Sequence, residues 1–153
     1  MQTDTGSSSS ALTLLSEEEM MFRDAVAAFA EQEVRPRVAQ MEKAGRIDPT
    51  LLPKYFELGL MGIEVPEQYG GAGGTLFMVT LAVEEISKVD AAAAIVCDVQ
   101  NTLVNYPITA YGTEAQKAKY LPMLASTKFD GDMVRVGVNY RFAWTPWQLI
   151  FGR

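Results

Sequence analysis

The sequence predicts an all-α domain over residues 13–126 on three observations. Apolar residues recur at helical spacing in several separate stretches, two serine or threonine capping boxes mark helix starts, and Asp, Gly and Pro punctuate the intervals between them. Only after residue 126 does the apolar spacing change to alternation, which is a strand period.

Ser16 followed by Glu17, Glu18 and Glu19 is the first capping box. The serine oxygen accepts from a free first-turn amide while Glu19 reaches back, so a helix is expected to start at Glu17. Phe22, Val26 and Phe29 form its apolar stripe, with Arg23, Asp24, Glu31 and Gln32 between them. Pro36 lacks an amide proton and disfavours α geometry at Arg35, so the helix is expected to break or kink there and resume through Val38 and Met41. Asp48 and Pro49 are expected as N-cap and first position of a short helix through Leu52, Tyr55, Phe56 and Leu58 that ends at Gly59.

The glycine-rich stretch from Pro66 to Gly74 is expected to be a shaped turn. A phosphate cradle is the competing reading, but the stretch has neither the Walker lysine nor a preceding strand nor dinucleotide-fingerprint spacing. A helix follows from Thr75, burying Val79, Ala82, Ile86 and Val89 and carrying Glu84, Glu85 and Lys88 outside. Asp90 is expected to cap the next helix, on which Ile95, Val99 and Leu103 stand one above another on one face. Pro107 is expected to kink its end and Gly112 to stop it. Thr113 and Gln116 make the second capping box, opening a last helix through Ala118, Tyr120 and Leu121 to Pro122.

Residues 1–12, rich in Ser and Gly, are expected to form a disordered leader, with neither the arginines of a mitochondrial presequence nor the apolar centre of a secretory signal. In the divergent tail, residues 127–153, Val134, Val136, Val138, Tyr140 and Phe142 alternate with polar residues or glycine. A lone strand has no partner, so this tail is expected to be disordered or strand-like, with Trp144, Trp147 and Phe151 packing loosely on the helices or staying exposed.

Composition narrows the chemistry. The formal net charge of −6 argues against nucleic-acid partners, which need a concentrated basic surface. Histidine is missing altogether, which removes histidine-dependent nucleophile systems and imidazole metal sites, and the one cysteine, Cys97, permits neither an internal disulfide nor a Cys-based zinc site. No apolar run reaches the roughly 18 residues of a membrane span. Cys97 has no cationic neighbour in sequence and is expected to be an inert buried thiol. Glu84 and Glu85 are adjacent, so they point apart on a helix and do not converge as an acid-base pair. No catalytic, cofactor-binding or metal-binding residue is assigned.

The run Leu60-Met61-Gly62-Ile63-Glu64-Val65-Pro66 to Tyr69-Gly70-Gly71 closely resembles the N-terminal helical domain of acyl-CoA dehydrogenases. So do Glu84 to Asp90, Gln100-Asn101-Thr102-Leu103, and the segment from Gly112 through Gln116 and Lys117 to Leu121 and Pro122, in the family's order and spacing. The stretch Gln100 to Leu103 looks most like the short/branched-chain enzymes. The resemblance implies an oligomeric FAD enzyme of three domains in the mitochondrial matrix. A carboxylate there removes the α-proton of an acyl thioester while the flavin takes a hydride from the β-carbon. It places the catalytic glutamate and most of the flavin site in later domains, whose opening motif does not follow Leu121 and Pro122 here. The chain is therefore expected to be a truncated piece of such an enzyme, inactive alone and binding no FAD, with full-length subunits as possible partners. The alternatives are a helical interaction module and a product with no function. The resemblance also implies that Ile95, Val99 and Leu103 line part of the acyl pocket, against the plain alternative that they are core packing.

Overall fold

Seven α-helices, some joined by π or 3-10 turns, account for most of residues 14–126, the residues that the computed structural model describes. The leader and the alternating stretch at 134–142 lie outside the described residues.

Helix α1, Glu17–Phe29, starts where its capping box puts it: Glu19 N donates to Ser16 Oγ at 3.2 Å and Ser16 N to Glu19 Oε2 at 2.8 Å. Pro36 does not break the helix. The chain widens into a π turn, Ala30–Val34, tightens into a 3-10 turn, Arg35–Arg37, and continues as α2, Val38–Ala44. The physical reason lies one turn back: a proline ring crowds the carbonyl of residue i−4, here Gln32 inside the π turn, where the wider backbone relieves the clash. Val26, Ala30 and Val34 are fully buried along this run. On its flank, Glu33 meets Arg37 at 3.0 Å and Lys54 at 2.9 Å, tying the first helix to the third.

Helix α3 spans Leu51–Glu57, with Thr50 rather than Asp48 in the N-cap position. Asp48 Oδ1 instead accepts from Thr50 N at 2.9 Å and Thr50 Oγ1 at 2.8 Å, and Asp48 Oδ2 faces Arg37 Nε at 3.5 Å. Its carboxylate thus closes the turn before the helix, which moves the helix start downstream of the sequence expectation. Tyr55 is buried edge-on against Phe29, with ring centroids 5.2 Å apart, and its hydroxyl donates to Ala93 O at 3.0 Å.

After α3 the chain lays Leu60, Met61, Ile63 and Val65 into the core. The glycine stretch then doubles back over this segment: Ala72 N donates to Gly62 O at 3.0 Å, Gly73 N to Val65 O at 2.9 Å and Gly74 N to Ile63 O at 2.7 Å. Gly70 takes the left-handed angle, φ 84°, that closes the preceding 3-10 turn. Gly71 lies so close to the returning chain that a Cβ there would sit 2.1 Å from Val65 O, which only glycine permits.

Helix α4, Leu76–Ser87, packs between α1 and α5, Ala91–Val99. Asp90 caps α5, with Ala93 N donating to its Oδ1 at 2.6 Å. Glu84 is exposed as expected, but Glu85 is buried and held by Lys88 Nζ at 2.7 Å. A lysine one turn on can cover a carboxylate that lies against the helix, so the partner rather than exposure to water satisfies it. Beyond α5 the helix again widens into a π turn, Gln100–Asn105, before α6, Tyr106–Tyr111, which carries Pro107 in its first turn. Helix α7, Glu114–Leu124, opens with the Thr113–Gln116 capping box and continues past Pro122, which removes one i→i−4 bond, that to Ala118 O, near the helix end.

Candidate functional site

The helix formed by α5, its π turn and α6 presents two unlike faces. Inward, every fourth residue from Ala93 through Cys97 and Asn101 to Asn105 is buried, the two asparagines completely. Outward, Ile95 is 58% exposed, Val99 38%, Leu103 69% and Tyr106 49%. The three residues expected to line an acyl pocket therefore share one face and are not part of the core of these residues. They form an apolar strip about two turns long, with Tyr106 following Leu103 toward α6.

What holds that strip in place is a set of buried polar contacts behind it. Asn101 Nδ2 donates to Leu60 O and to Cys97 O, each at 2.8 Å, and Asn101 Oδ1 accepts from Ile63 N at 3.0 Å. Asn105 Nδ2 donates to Met61 O at 2.8 Å, and its Oδ1 accepts from Gln100 Nε2 at 3.2 Å. Cys97 Sγ donates to Leu60 O at 3.3 Å. Irregular backbone at 60–63, which has no ladder of its own, thus finds its partners on side chains of the helix. Sequence reasoning did not single out either asparagine. The signal was available as a row of small or polar residues, 93, 97, 101 and 105, at i,i+4 spacing, whose asparagines have no propensity reason to stand in a helix interior.

The titratable groups nearby are structural. Burial, helped by Asp98, pushes the Cys97 thiol up to about 12, so it stays protonated and unreactive, as its surroundings in sequence led us to expect. Burial also raises the Tyr55 phenol well above its ordinary range. Burial likewise raises the carboxyl of Glu64, in the segment that the asparagines hold, and its Oε2 is buried without a hydrogen-bond partner among the described residues. Glu84 and Glu85 both approach the one cation of Lys88, at 3.6 Å and 2.7 Å, and so are engaged as its ion-pair partners.

The two places where a nucleotide phosphate would be sought do not fit one. The amides of residues 70–74 all donate to backbone carbonyls of the same loop region, and the first turn of α5 is closed by the carboxylate of Asp90. These residues therefore do not furnish a flavin pyrophosphate cradle. Among the described residues there is also no cluster of His, Cys, Asp or Glu that could hold a metal ion, and no helix is long and apolar enough to cross a membrane.

The described residues thus form an α-helical domain stitched by buried asparagines, with an apolar strip on its outer face. The chain belongs to the acyl-CoA dehydrogenase family: the family model for its N-terminal domain matches residues 16–128. The chain is 45% identical over 126 residues to the mitochondrial short/branched chain specific acyl-CoA dehydrogenase of Bos taurus, covering 82% of this chain and 29% of that protein. It is 44% identical to a probable enzyme of the same name from Dictyostelium discoideum, covering 75% of this chain and 28% of that protein. Among solved structures, butyryl-CoA dehydrogenase from Megasphaera elsdenii matches with a TM-score of 0.69 at 34% identity, over 74% of this chain and 30% of that one. The chain thus spans less than a third of the relatives it matches.

Proposed function

We propose that this chain supplies one wall of the acyl-binding pocket in an FAD-dependent dehydrogenase that acts on short or branched acyl-CoA thioesters, and that these 153 residues alone complete no turnover. The observation that carries the reading is the outward strip of Ile95, Val99 and Leu103, three branched apolar side chains held rigidly from behind and turned away from the core. The names of the bovine and Dictyostelium relatives support short or branched acyl chains as substrate, and the bovine and rat relatives, both mitochondrial by name, support the mitochondrial matrix as location. The base and the flavin contacts come from elsewhere in the assembled enzyme: the described carboxylates are exposed, ion-paired or buried, and the glycine loop amides are already hydrogen-bonded.

The test is a domain replacement. Residues 14–126 are exchanged for the matching segment of the bovine relative, and kcat/KM is measured for straight and branched acyl-CoA thioesters. Activity is expected to survive, and Leu103→Trp within the exchanged segment is expected to lower kcat/KM for the bulkier acyl chains at least about tenfold, since even one methylene in an apolar pocket is worth roughly 1–3 kcal/mol. A folded, flavin-loaded chimaera whose preference ignores Leu103→Trp and Ile95→Trp would remove the pocket-wall assignment. Separately, stoichiometric FAD released on denaturing the purified 153-residue chain would overturn the proposal that it binds none.

A second reading, association with full-length subunits, is favoured by the exposure of Leu14, Met21 and Tyr111 at 86%, 73% and 81%. Co-expression with a full-length relative and failure to co-purify would dismiss it.

A further inference from the structure

Both rows of the helix through α5 repeat every four residues, and a regular α-helix does not keep such a row straight: each step of four overshoots a full turn by about 40°. Carried through α geometry, Leu103 would stand about 80° round the axis from Ile95. The π turn Gln100–Asn105 undoes most of that drift. Its wider bonding, seen where Tyr106 N donates to Asn101 O five residues back, takes about 4.4 residues per turn. The step from Val99 to Leu103 then falls about 30° short of a full turn and brings Leu103 back to within roughly 10° of Ile95.

We infer that Asn105 is a positioning residue: it holds the π turn that aims Leu103, and so sets the acyl preference of the strip without touching the acyl chain, an inference that rests on the pocket-wall reading. Proline by itself does not account for the turn, since Ala118 stands four residues before Pro122 and yet lies within the α-helix α7. What the stretch 100–105 has in addition is a clamp. Asn101 bonds Leu60 O and Ile63 N, and Asn105 Nδ2 donates to Met61 O at 2.8 Å, so two residues of the helix are pinned to one short segment. Across the turn, Gln100 Nε2 donates to Asn105 Oδ1 at 3.2 Å. This joins side chains five residues apart, which in a regular helix point about 140° away from each other. The same Gln100 amide donates to Leu124 O at 3.3 Å and ties the turn to the end of α7. Asn105 is common to the clamp and the bridge, and it is fully buried, so it acts through Leu103 rather than on a ligand.

The chain has no histidine, so an introduced pair reports the turn without background. Val99→His with Val104→His places two imidazoles five residues apart, neighbours in a π turn and on different sides of a regular helix. In the full chain, nickel is expected to raise the urea midpoint of this double variant and to leave each single variant unmoved, because a ligand stabilises the state that holds its site. Asn105→Ala added to the pair is expected to remove the nickel shift. In the chimaeric enzyme the same substitution is expected to raise KM for branched acyl-CoA several-fold with little change in kcat, and so to narrow the preference over straight chains. Gln100→Ala cuts the bridge but leaves Met61 O its donor. It is expected to act in the same direction in both assays, and it carries them if Asn105→Ala does not fold. A histidine pair that nickel does not stabilise would overturn the inference. So would a nickel shift that survives both variants, or a branched preference that neither variant changes while Leu103→Trp still does. A chimaera indifferent to Leu103→Trp and Ile95→Trp would instead remove the pocket-wall reading, and the acyl preference assigned to Asn105 with it, while the nickel shift still reports whether Asn105 holds the turn.

Discussion

The inner and outer faces of the helix through α5 and its π turn have exchanged their usual roles. Asn101 and Asn105 face inward with no exposure, while Ile95 and Leu103, the kind of side chain that normally fills a core, are more than half exposed. Both rows repeat every four residues, so periodicity groups the residues of each face correctly yet says nothing about which face is inside. The choice is made by the segment 60–63, whose backbone groups need hydrogen-bond partners and find them on asparagine amides. A polar inner face satisfies an irregular neighbour, and the apolar outer face is left for something else to cover.

If this account is right, the inner face is where the domain is most easily broken. Asn101→Leu keeps the volume but leaves Ile63 N–H without its side-chain partner and Leu60 O with only the weaker Cys97 thiol, so a loss of about 2 kcal/mol or more is expected in urea unfolding. Asn105→Leu removes the donor to Met61 O and the acceptor for Gln100, for which about 2 kcal/mol is expected. Losses under about 0.5 kcal/mol at both sites, the level of an ordinary surface change, would mean that the asparagines are incidental to the fold.

These asparagines also mark the boundary of what the sequence could disclose. Features settled within one turn were legible: the capping boxes at Ser16 and Thr113 and the Asp90 cap stand where the pattern of residues put them. Features that depend on a neighbour distant in sequence were not. The prolines stand between these cases: regular α geometry stops before Pro36 and resumes at Val38 as expected, but through π and 3-10 turns rather than a break, and Pro107 is likewise preceded by a π turn with its i−4 residue Leu103 inside. Asp48 was expected to cap α3, yet the turn to Thr50 and the approach of Arg37 engaged it earlier. Glu85 shares a helix with Glu84, and only the packing of α4 decides that the one is buried and the other is not. Spacing alone puts Ile95, Val99 and Leu103 on one face, and the fold decides that this face points outward.

A smaller effect tests the segment that the inner face holds. The Glu64 carboxyl titrates above its ordinary value of 4.5 because burial disfavours the charge, so the folded chain keeps this proton to higher pH than the unfolded chain does. Below the ordinary carboxyl range both states are protonated and Glu64 costs nothing; as pH rises through that range the unfolded state loses its proton first, and stability falls until the folded carboxyl has ionised too. Glu64→Gln removes this dependence. The variant is expected to match the parent in acid and to exceed it near neutrality, because the parent's buried Oε2 has no hydrogen-bond partner among the described residues. Equal urea midpoints for the two proteins at neutral pH would show that water reaches the carboxylate.

The outer face should give the smallest response, and that is what makes it informative. Leu103 is 69% exposed, so Leu103→Ser removes little burial from these residues and is expected to shift the urea midpoint by no more than about 0.5 kcal/mol. The same substitution inside the chimaeric enzyme is expected to lower kcat/KM for branched acyl-CoA while leaving the unfolding curve of the isolated chain where it was. Stability and specificity would then separate on opposite faces of one helix. A loss of 2 kcal/mol or more, the range of a buried large-to-small change, would instead mean that Leu103 is covered within this chain, and the strip would have to be reassigned as a packing surface.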